Sequence, residues 1–301
     1  MLYKIFSILV KPLVGSGIGN IHFIANLYQK IMPKLLPESS KVLDVQGFKI
    51  EILTKGYIND ITTELIFKGV HEPATTRVFK KVLRVGDVVI DIGANIGYFT
   101  LLAAQVVGWR GRVYAFEPDP TNMKALCDNA RINKFENIKT YMMALSNKNG
   151  TATLYTSSRE SAKHSLIRIK EHDGQESTLV AKLDDMLIVD KPKIRLLKTD
   201  TEGNELAVLQ GAKQTILSNK DIILIVEVNR ETLDAGNTTI DELWNYITVT
   251  LSMSIVYLIN DYNGNIELIY SPSIYRYDWK KRIGVRKYGY NLLCSREELE
   301  L

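Results

Sequence analysis

The stretch VVIDIGANIGYFTLLAA, residues 88–104, decides the fold of this chain. Its first five residues form an apolar run that only Asp91 interrupts, which predicts a buried strand, and the residues after Gly97 predict the first turns of a helix. Gly93 and Gly97 bracket a tight turn between them, because glycine adopts backbone angles that side chains disfavour. The stretch therefore predicts a strand, a turn open to a ligand, and a helix.

Four further apolar runs predict strands over residues 112–117, 138–143, 194–199 and 222–228. Such continuous runs are typical of parallel strands that are covered on both faces. Helices are predicted over residues 71–83, 120–133 and 205–217, the second with Asp119 as its N-cap and Pro120 in its first position. Residues 144–193 lose this alternation, and we expect them to form an insertion over the sheet.

Residues 254–270 predict a hairpin, because two strand-like runs flank Asn263-Gly264, a dipeptide that supplies the positive φ angles of the turn. A parallel array that ends in an antiparallel hairpin is the arrangement of Rossmann-like methyltransferases. We therefore predict an α/β fold with a mostly parallel, seven-stranded sheet that the hairpin closes. Residues 61–301 are predicted to form this domain, and residues 1–60 a helical N-terminal extension.

The composition is that of an ordinary globular protein. The 301 residues carry a formal net charge of +4 and contain two cysteines, Cys127 and Cys294, with no CxxC motif. This pattern disfavours both a disulfide framework and a zinc site. The simplest expected location is the reducing cytoplasm.

Basic residues concentrate towards the two ends of the chain. Residues 1–37 contain four lysines and no acid among apolar runs that are too interrupted for a membrane span. One interpretation is an amphipathic helical extension that packs on the main domain, and another is reversible contact with an anionic membrane surface. Residues 275–290 contain six basic residues and one acid, together with several aromatic rings.

The turn after the first strand restricts the ligand. Asn95 occupies the place where a dinucleotide fold has its second glycine, so its side chain obstructs a pyrophosphate. Asp91 can accept a hydrogen bond from an ammonium group, and Glu117 can accept from both hydroxyls of a ribose. An adenosine that carries an amino acid instead of phosphates satisfies these features, which predicts S-adenosylmethionine as the cofactor. The predicted cofactor residues are Asp91, Gly93, Asn95, Gly97, Glu117, Pro118 and Ala144.

The exit of the fourth strand, KTDTEGNE at residues 198–205, is the predicted place of the chemistry. Open α/β sheets bind their ligands at this edge. Asp200 and Glu202 are the candidate catalytic residues, with Asp200 preferred, because methyl transfer to an alcohol requires a group that positions the hydroxyl and accepts its proton. A structural alternative is that Glu202 and Glu205 only stabilise the N-terminus of the following helix.

Three other features of the predicted site stay open. The acids of this motif could instead hold a divalent metal through oxygen ligands, but no histidine accompanies them, and we expect no required metal. Glu227, at the end of the fifth strand, faces the acceptor or caps an edge. His164 lies in the insertion and is either incidental or catalytic.

Several segments together resemble the FkbM-type methyltransferases. They are EPATTRVFKKVLRVGDVVIDIGANIGYFTLLAA, VYAFEPDPTNMKALCDNARIN, ALSNKNG, LLKTDTEGNELAVLQGA and IVEVN, within residues 72–294. The resemblance implies a class I methyltransferase fold and O-methylation of a hydroxyl on a saccharide, glycolipid or natural-product acceptor. About 60 N-terminal residues fall outside it.

Three alternative functions compete with this one. A nucleic-acid methyltransferase would use the basic, aromatic residues 275–290, but the acidic fourth-strand motif lacks the Asn/Asp-Pro-Pro-aromatic signature of amino-group methylation. A nicotinamide-dependent dehydrogenase is disfavoured by Asn95 and by the closing hairpin. A protein that binds the cofactor without catalysis has the same sequence features.

Overall fold

The computed structural model describes residues 40–52, 60–158, 163–187, 192–261, 264–271 and 289–301. Residues 1–37, most of the basic segment 275–290, and Asn263 of the predicted turn lie outside these ranges. Membrane contact through residues 1–37 therefore stays a prediction. None of the helices in the described ranges has both the length and the apolar character of a membrane span.

Thirteen strands occur within the described residues. They are β1 Lys41–Val45, β2 Phe48–Ile52, β3 Val88–Ile92, β4 Arg112–Phe116, β5 Ile138–Tyr141, β6 Ala144–Leu145, β7 Gly150–Thr156, β8 Gly174–Ala181, β9 Ile194–Thr199, β10 Ile223–Asn229, β11 Ile255–Asn260, β12 Asn265–Ile269 and β13 Gly289–Ser295. The five predicted parallel strands correspond to β3, β4, β5, β9 and β10, with ends that differ by one or two residues.

The α-helices of the described residues are mostly short. They are α1 Asp60–Lys68, α2 Pro73–Val82, α3 Tyr98–Val107, α4 Pro120–Asn133, α5 Leu183–Met186, α6 Glu205–Gly211, α7 Lys213–Ser218, α8 Arg230–Ala235 and α9 Ile240–Asn245, and a π-helical turn follows at Tyr246–Thr250. Asp119 caps α4 as predicted, because its side chain accepts from the backbone N–H of Asn122 at 2.8 Å. The helix predicted over residues 205–217 is divided into α6 and α7.

Eight strands form the main sheet, in the order β12-β11-β13-β10-β9-β3-β4-β5. β10, β9, β3, β4 and β5 are parallel to one another, whereas β13, β11 and β12 each pair antiparallel with their neighbours. The carboxyl ends of the five parallel strands therefore share one edge. Because β3 leads to β4 on one side and lies beside β9 on the other, a crevice is expected at its end.

The antiparallel end of the sheet differs from the prediction. β11 and β12 form the predicted hairpin, but the predicted count of seven strands is wrong. β13 lies between β10 and β11 and pairs with both, which places the hairpin one strand further out. The short apolar run of β13 follows the basic segment, and its pattern was too weak to predict a strand.

The start of the described chain also differs from the prediction. The helical prediction is wrong for residues 41–52, where β1 and β2 form an antiparallel hairpin. Phe48, Ile50 and Ile52 of β2 are buried and join the core that α2 and α3 form against the main sheet. The division of the chain at residue 60 stays a prediction.

Two hydrophobic clusters cover the two faces of the main sheet. One contains Phe79 of α2 and Leu101 of α3, and the other contains Leu209 of α6 and Leu243 of α9. The predicted insertion forms a separate small sheet, in the order β6-β8-β7. The core therefore fixes the parallel strands, while the insertion lies beside their carboxyl edge.

Candidate active site

The turn after β3 is fixed against two neighbouring strands. Gly93 has a φ of +78°, and a Cβ atom there would lie 1.8 Å from the carbonyl oxygen of Asp200. The backbone N–H groups of Gly93 and Ala94 both donate to the carbonyl oxygen of Phe116. Only glycine allows this close approach, so the turn joins the ends of β4 and β9 in one rigid unit.

Glu117 is anchored directly beside this turn. Its side chain is buried, Oε2 accepts from the N–H of Asn95 at 2.7 Å, and Oε1 accepts from the N–H of Asp119 at 3.0 Å. Burial raises the pKa of Glu117 to about 7. Each carboxylate oxygen has a further lone pair, so the geometry suits acceptance from two adjacent hydroxyl groups.

Most of the predicted cofactor residues line one narrow cleft. Gly93, Asn95, Glu117, Pro118 and Ala144 line it, and so does Asp200 from the predicted catalytic pair. Asp91 and Gly97 are not in its wall. Asp91 lies beneath the turn, where it accepts from the hydroxyl of Thr100 at 2.6 Å, and Gly97 begins α3 with a φ of +96°.

The space available to a ligand is divided. The cleft has a volume of about 40 Å³, which is well below the roughly 300 Å³ or more that small-molecule sites offer. A second cavity of about 610 Å³ shares Asn122 and His164 with the cleft. A nucleoside-sized ligand would therefore need side chains at this boundary to move.

The exit of β9 carries a buried ion pair. Lys198 is 2% exposed, and its Nζ lies 2.7 Å from Oδ2 of Asp200. Burial acts to raise the pKa of Asp200, but the ammonium of Lys198 outweighs it and holds this pKa below its usual range. Asp200 is therefore ionised at neutral pH and suits hydrogen-bond acceptance better than strong base catalysis.

Glu205 supports the next turn of the chain. Its buried carboxylate accepts from the N–H groups of Thr201 and Gly203. Glu202, between them, has a left-handed φ of +53°, and Ser165 of the insertion donates to the carbonyl oxygens of Thr201 and Glu202. These contacts give Glu205 a structural role in the turn before α6, and its predicted stabilisation of the helix N-terminus stays a prediction.

Glu227 joins the two predicted catalytic acids. Carboxylate oxygens of Asp200, Glu202 and Glu227 all lie within 4.8 Å of one another. Burial and the carboxylates of Glu202 and Asp200 raise the pKa of Glu227 well above its usual range. An oxygen-only set of this kind could hold Mg²⁺ or a similar hard cation, although Lys198 already provides Asp200 with a cation.

His164 has defined contacts away from these acids. Its Nδ1 lies 3.1 Å from Oδ2 of Asp119, as an ion-pair contact without hydrogen-bond alignment. Burial acts to lower the pKa of His164, but Asp119 outweighs it and raises the value. His164 lines both cavities, and whether it is incidental or catalytic stays open.

The sequence analysis missed two polar residues near this site. Glu72 precedes α2, and its Oε2 accepts from Nδ2 of Asn291, 219 residues later, at 3.0 Å. Asn291 pairs with Glu227 in the register of β13 and β10. The Glu-Pro pair before a predicted helix was a signal for Glu72, but no local pattern indicated Asn291 once β13 was missed.

A match to a protein family includes most residues of this site. The model of the methyltransferase FkbM domain matches residues 91–253, which include the glycine turn, Glu117, the β9 exit and Glu227. No curated protein gives a significant match in sequence.

Solved structures show more distant similarity. A methyltransferase FkbM from Methylobacillus flagellatus KT is 18% identical with a TM-score of 0.44, over 79% of this chain and 56% of that chain. The present chain thus spans little more than half of that protein. A putative rRNA-methylase from Clostridium thermocellum is 10% identical with a TM-score of 0.43, over 75% and 94% of the two chains. A putative methyltransferase from Streptococcus mutans in complex with SAH is 11% identical with a TM-score of 0.42, over 75% and 99%.

The family match extends over more than half of the chain, and it begins at Asp91 beneath the glycine turn. It includes both strand exits that carry the predicted cofactor and catalytic residues. On this ground, the chain belongs to the FkbM methyltransferase family.

Proposed function

We propose that this protein is an S-adenosylmethionine-dependent O-methyltransferase that acts on a hydroxyl of a saccharide, glycolipid or natural product. One observation carries the proposal. Asp200 lines the same cleft as Glu117, and its carboxylate also belongs to the group with Glu202 and Glu227. Asp200 therefore connects the predicted ribose site at Glu117 with the carboxylates that can accept hydrogen bonds from hydroxyl groups.

The residues present fit this cofactor. Glu117 offers two anchored oxygens to a ribose, and Oδ1 of Asp91 is buried without a hydrogen-bond partner among the described residues. When bound, S-adenosylmethionine supplies an electrophilic methyl group on a sulfonium. Ala144 and Pro118 line the same cleft as Glu117 and would lie beside the base.

The acidic residues would then act on the acceptor. Asp200 would accept the hydrogen bond of the acceptor hydroxyl and orient its oxygen towards the methyl group. The sulfur–methyl bond would break as the oxygen–methyl bond forms, with S-adenosylhomocysteine as the leaving group, and the hydroxyl proton would pass to a carboxylate of this group. Good positioning contributes about 7–11 kcal/mol to such reactions, so the lowered pKa of Asp200 is no obstacle. Glu202 and Glu227 hold neighbouring hydroxyls of the acceptor.

Labelled cofactor tests the function directly. Purified protein is incubated with methyl-labelled S-adenosylmethionine and separate glycan, lipid and nucleic-acid fractions. We expect label in the glycan or lipid fraction. Label in nucleic acid would favour the alternative based on residues 275–290, and binding without transfer to any fraction would favour a non-catalytic protein.

A chelator tests the metal alternative in the same reaction. We expect full transfer in excess EDTA, because Lys198 already compensates the charge of Asp200. A loss of transfer that Mg²⁺ or Mn²⁺ restores would instead assign Asp200, Glu202 and Glu227 to a metal.

Glu117 makes cofactor affinity depend on pH. Its pKa of about 7 means that it is protonated below neutrality, and a protonated carboxyl loses the charge-assisted bonds to ribose. We expect the affinity for 5′-methylthioadenosine, measured by calorimetry, to fall about tenfold from pH 8 to pH 6. Glu117→Gln should weaken binding at pH 8 by roughly 10- to 100-fold and remove most of this dependence.

A surface glutamate provides the matched control for this variant. Glu136 is exposed, so Glu136→Gln should leave both the affinity and its pH dependence unchanged. Because His164 and Asp119 also lie near Glu117, a pH dependence that persists in Glu117→Gln would assign the titration to that pair. Unchanged affinity in Glu117→Gln at pH 8 would contradict the ribose assignment.

A further inference from the structure

Asn291 has an amide group whose orientation is fixed by its neighbours. Its Nδ2 donates to Oε2 of Glu72 at 3.0 Å and to the hydroxyl of Thr75 at 3.1 Å. That hydroxyl donates its own proton to Oδ2 of Asp261 at 2.7 Å, so it must accept from Asn291. The amide oxygen of Asn291 therefore lies on the side away from Glu72 and Thr75.

This amide oxygen lacks a donor. Asn291 is 5% exposed, and its Oδ1 is buried without a hydrogen-bond partner among the described residues. A buried acceptor of this kind is unfavourable and indicates a partner that binds there. The family match ends at residue 253, so Asn291 belongs to a part of the chain that the match does not include.

The residue opposite Asn291 has the same property. Glu227 is its register partner on β10, so the two side chains point to one face of the sheet with Cβ atoms about 4.5–5.5 Å apart. Oε2 of Glu227 is also buried without a partner among the described residues. Two adjacent strands therefore place two unsatisfied oxygens beside each other.

Glu227 connects Asn291 with the proposed place of methyl transfer. Its carboxylate lies within 4.8 Å of those of Asp200 and Glu202, and Asp200 lines the cofactor cleft. From the cleft outward, Asp200 at the exit of β9, Glu227 of β10 and Asn291 of β13 thus follow one another on neighbouring strands. A molecule whose hydroxyl reacts at Asp200 would have its next substituent at Glu227 and Asn291.

The charges and donors at this pair select a neutral hydroxyl. An anionic group is disfavoured, because the carboxylates of Asp200 and Glu202 lie beside it. Burial and these two acids raise the pKa of Glu227 well above its usual range, so Glu227 is protonated at neutral pH and has an O–H to donate. A hydroxyl can donate to Asn291 and accept from Glu227, whereas an ammonium group can only donate.

We propose that Asn291 and Glu227 bind a second hydroxyl of the acceptor, on the carbon next to the one whose hydroxyl is methylated. The inference rests on the proposed function and narrows its substrate class to vicinal diols, such as sugars and other polyhydroxylated rings. Asn291 is then a specificity residue of the acceptor site and takes no part in cofactor binding. As at the cofactor cleft, side chains that cover the two oxygens must move when the ligand enters.

Three small alcohols test the substrate class in the labelled-transfer assay. 1,2-Cyclohexanediol carries two neighbouring hydroxyls, 1,4-cyclohexanediol carries two that are separated, and cyclohexanol carries one. Each is added as a competitor to transfer onto the fraction that the wild-type protein modifies. We expect the 1,2-diol to inhibit at a concentration about fivefold lower than the other two, since one neutral hydrogen bond contributes about 1 kcal/mol. Equal inhibition by all three, or none by the 1,2-diol, overturns the inference.

Asn291→Leu tests whether this residue provides the recognition. Leucine keeps the approximate size of the side chain but removes the amide oxygen, so the 1,2-diol should lose its advantage over cyclohexanol. The affinity for S-adenosylhomocysteine, measured by calorimetry, should stay close to that of the wild type, which also shows that the variant is folded. Thr75→Val is the matched control, because it removes one contact of Nδ2 but leaves Oδ1, and it should keep the preference for the 1,2-diol.

The remaining outcomes separate this inference from the proposed function. A preference that persists in Asn291→Leu, or an equal loss of it in Thr75→Val, overturns the assignment of Asn291. If Asn291→Leu does not fold, Asn291→Thr keeps a donor for Glu72 without the amide oxygen, and it too must lose the preference. If the wild-type protein transfers methyl to no fraction, the proposed function fails and this inference fails with it, whereas transfer that all three alcohols inhibit equally contradicts this inference alone.

Discussion

Gly93→Ala is expected to destabilise the protein by roughly 2–5 kcal/mol, one of the two largest effects expected of a single substitution. Two penalties combine at this position. The left-handed φ of +78° costs an alanine about 1–2 kcal/mol. The added Cβ would also meet the Asp200 carbonyl oxygen at 1.8 Å, and a forced backbone shift in a packed site costs about 1–3 kcal/mol.

Gly69 separates these two penalties. It has a similar φ of +67°, but no atom of the described residues lies within 4 Å of a Cβ there. Gly69→Ala should therefore show only the conformational cost, about 1–2 kcal/mol. Urea unfolding of both variants measures the difference. Equal destabilisation would mean that the backbone after β9 shifts without cost to make room for the new methyl group.

Asp200→Asn is expected to lower the turnover of methyl transfer at least about 100-fold. This is the lower end of the rate enhancement that a side chain interacting with the transferred proton usually contributes. Asparagine keeps the shape but loses the negative charge that holds and orients the acceptor hydroxyl. The measurement is transfer of labelled methyl to whichever fraction the wild-type protein modifies. Affinity for S-adenosylhomocysteine should change far less than turnover.

Glu202→Gln and Glu227→Gln are the comparisons for this prediction. Their carboxylates lie beside Asp200, and Asp200 is the acid of this group that forms the 2.7 Å ion pair with Lys198 in the described residues, so we expect smaller losses. Removing the Asp200 charge also leaves Lys198 less compensated, and the unfolding free energy must be measured alongside turnover. If turnover is normal in Asp200→Asn and falls strongly in Glu202→Gln or Glu227→Gln, the glutamate whose variant loses turnover is the proton acceptor.

The sequence predicted the part of the site that depends on local patterns. Gly93, Glu117 and Asp200 each follow a continuous apolar strand, and the carboxyl ends of parallel strands share an edge. Their positions could therefore be inferred without knowing any tertiary contact. The cleft that Gly93, Glu117 and Asp200 line in common agrees with that inference.

Other elements depend on contacts that no local pattern reveals. β13 is a strand because β10 and β11 pair with it on both sides, although its own apolar run is short. Asn291 of β13 therefore donates a hydrogen bond to Glu72 and is the register partner of Glu227. For β1 and β2, by contrast, a local signal existed, since KVLDV and FKIEI alternate around Gln46-Gly47. That alternation indicates a hairpin, and the helical prediction overlooked it.

The position of β13 has a consequence for how the protein is made. During synthesis β9 and β10 emerge long before residues 289–295, and domains tend to fold as their segments emerge. Until β13 arrives, β10 has one edge without its native partner, and so has β11 on the side that β13 later covers. Exposed apolar edges can pair with other chains. The nascent protein therefore passes through an interval of aggregation risk that ends only when β13 has left the ribosome.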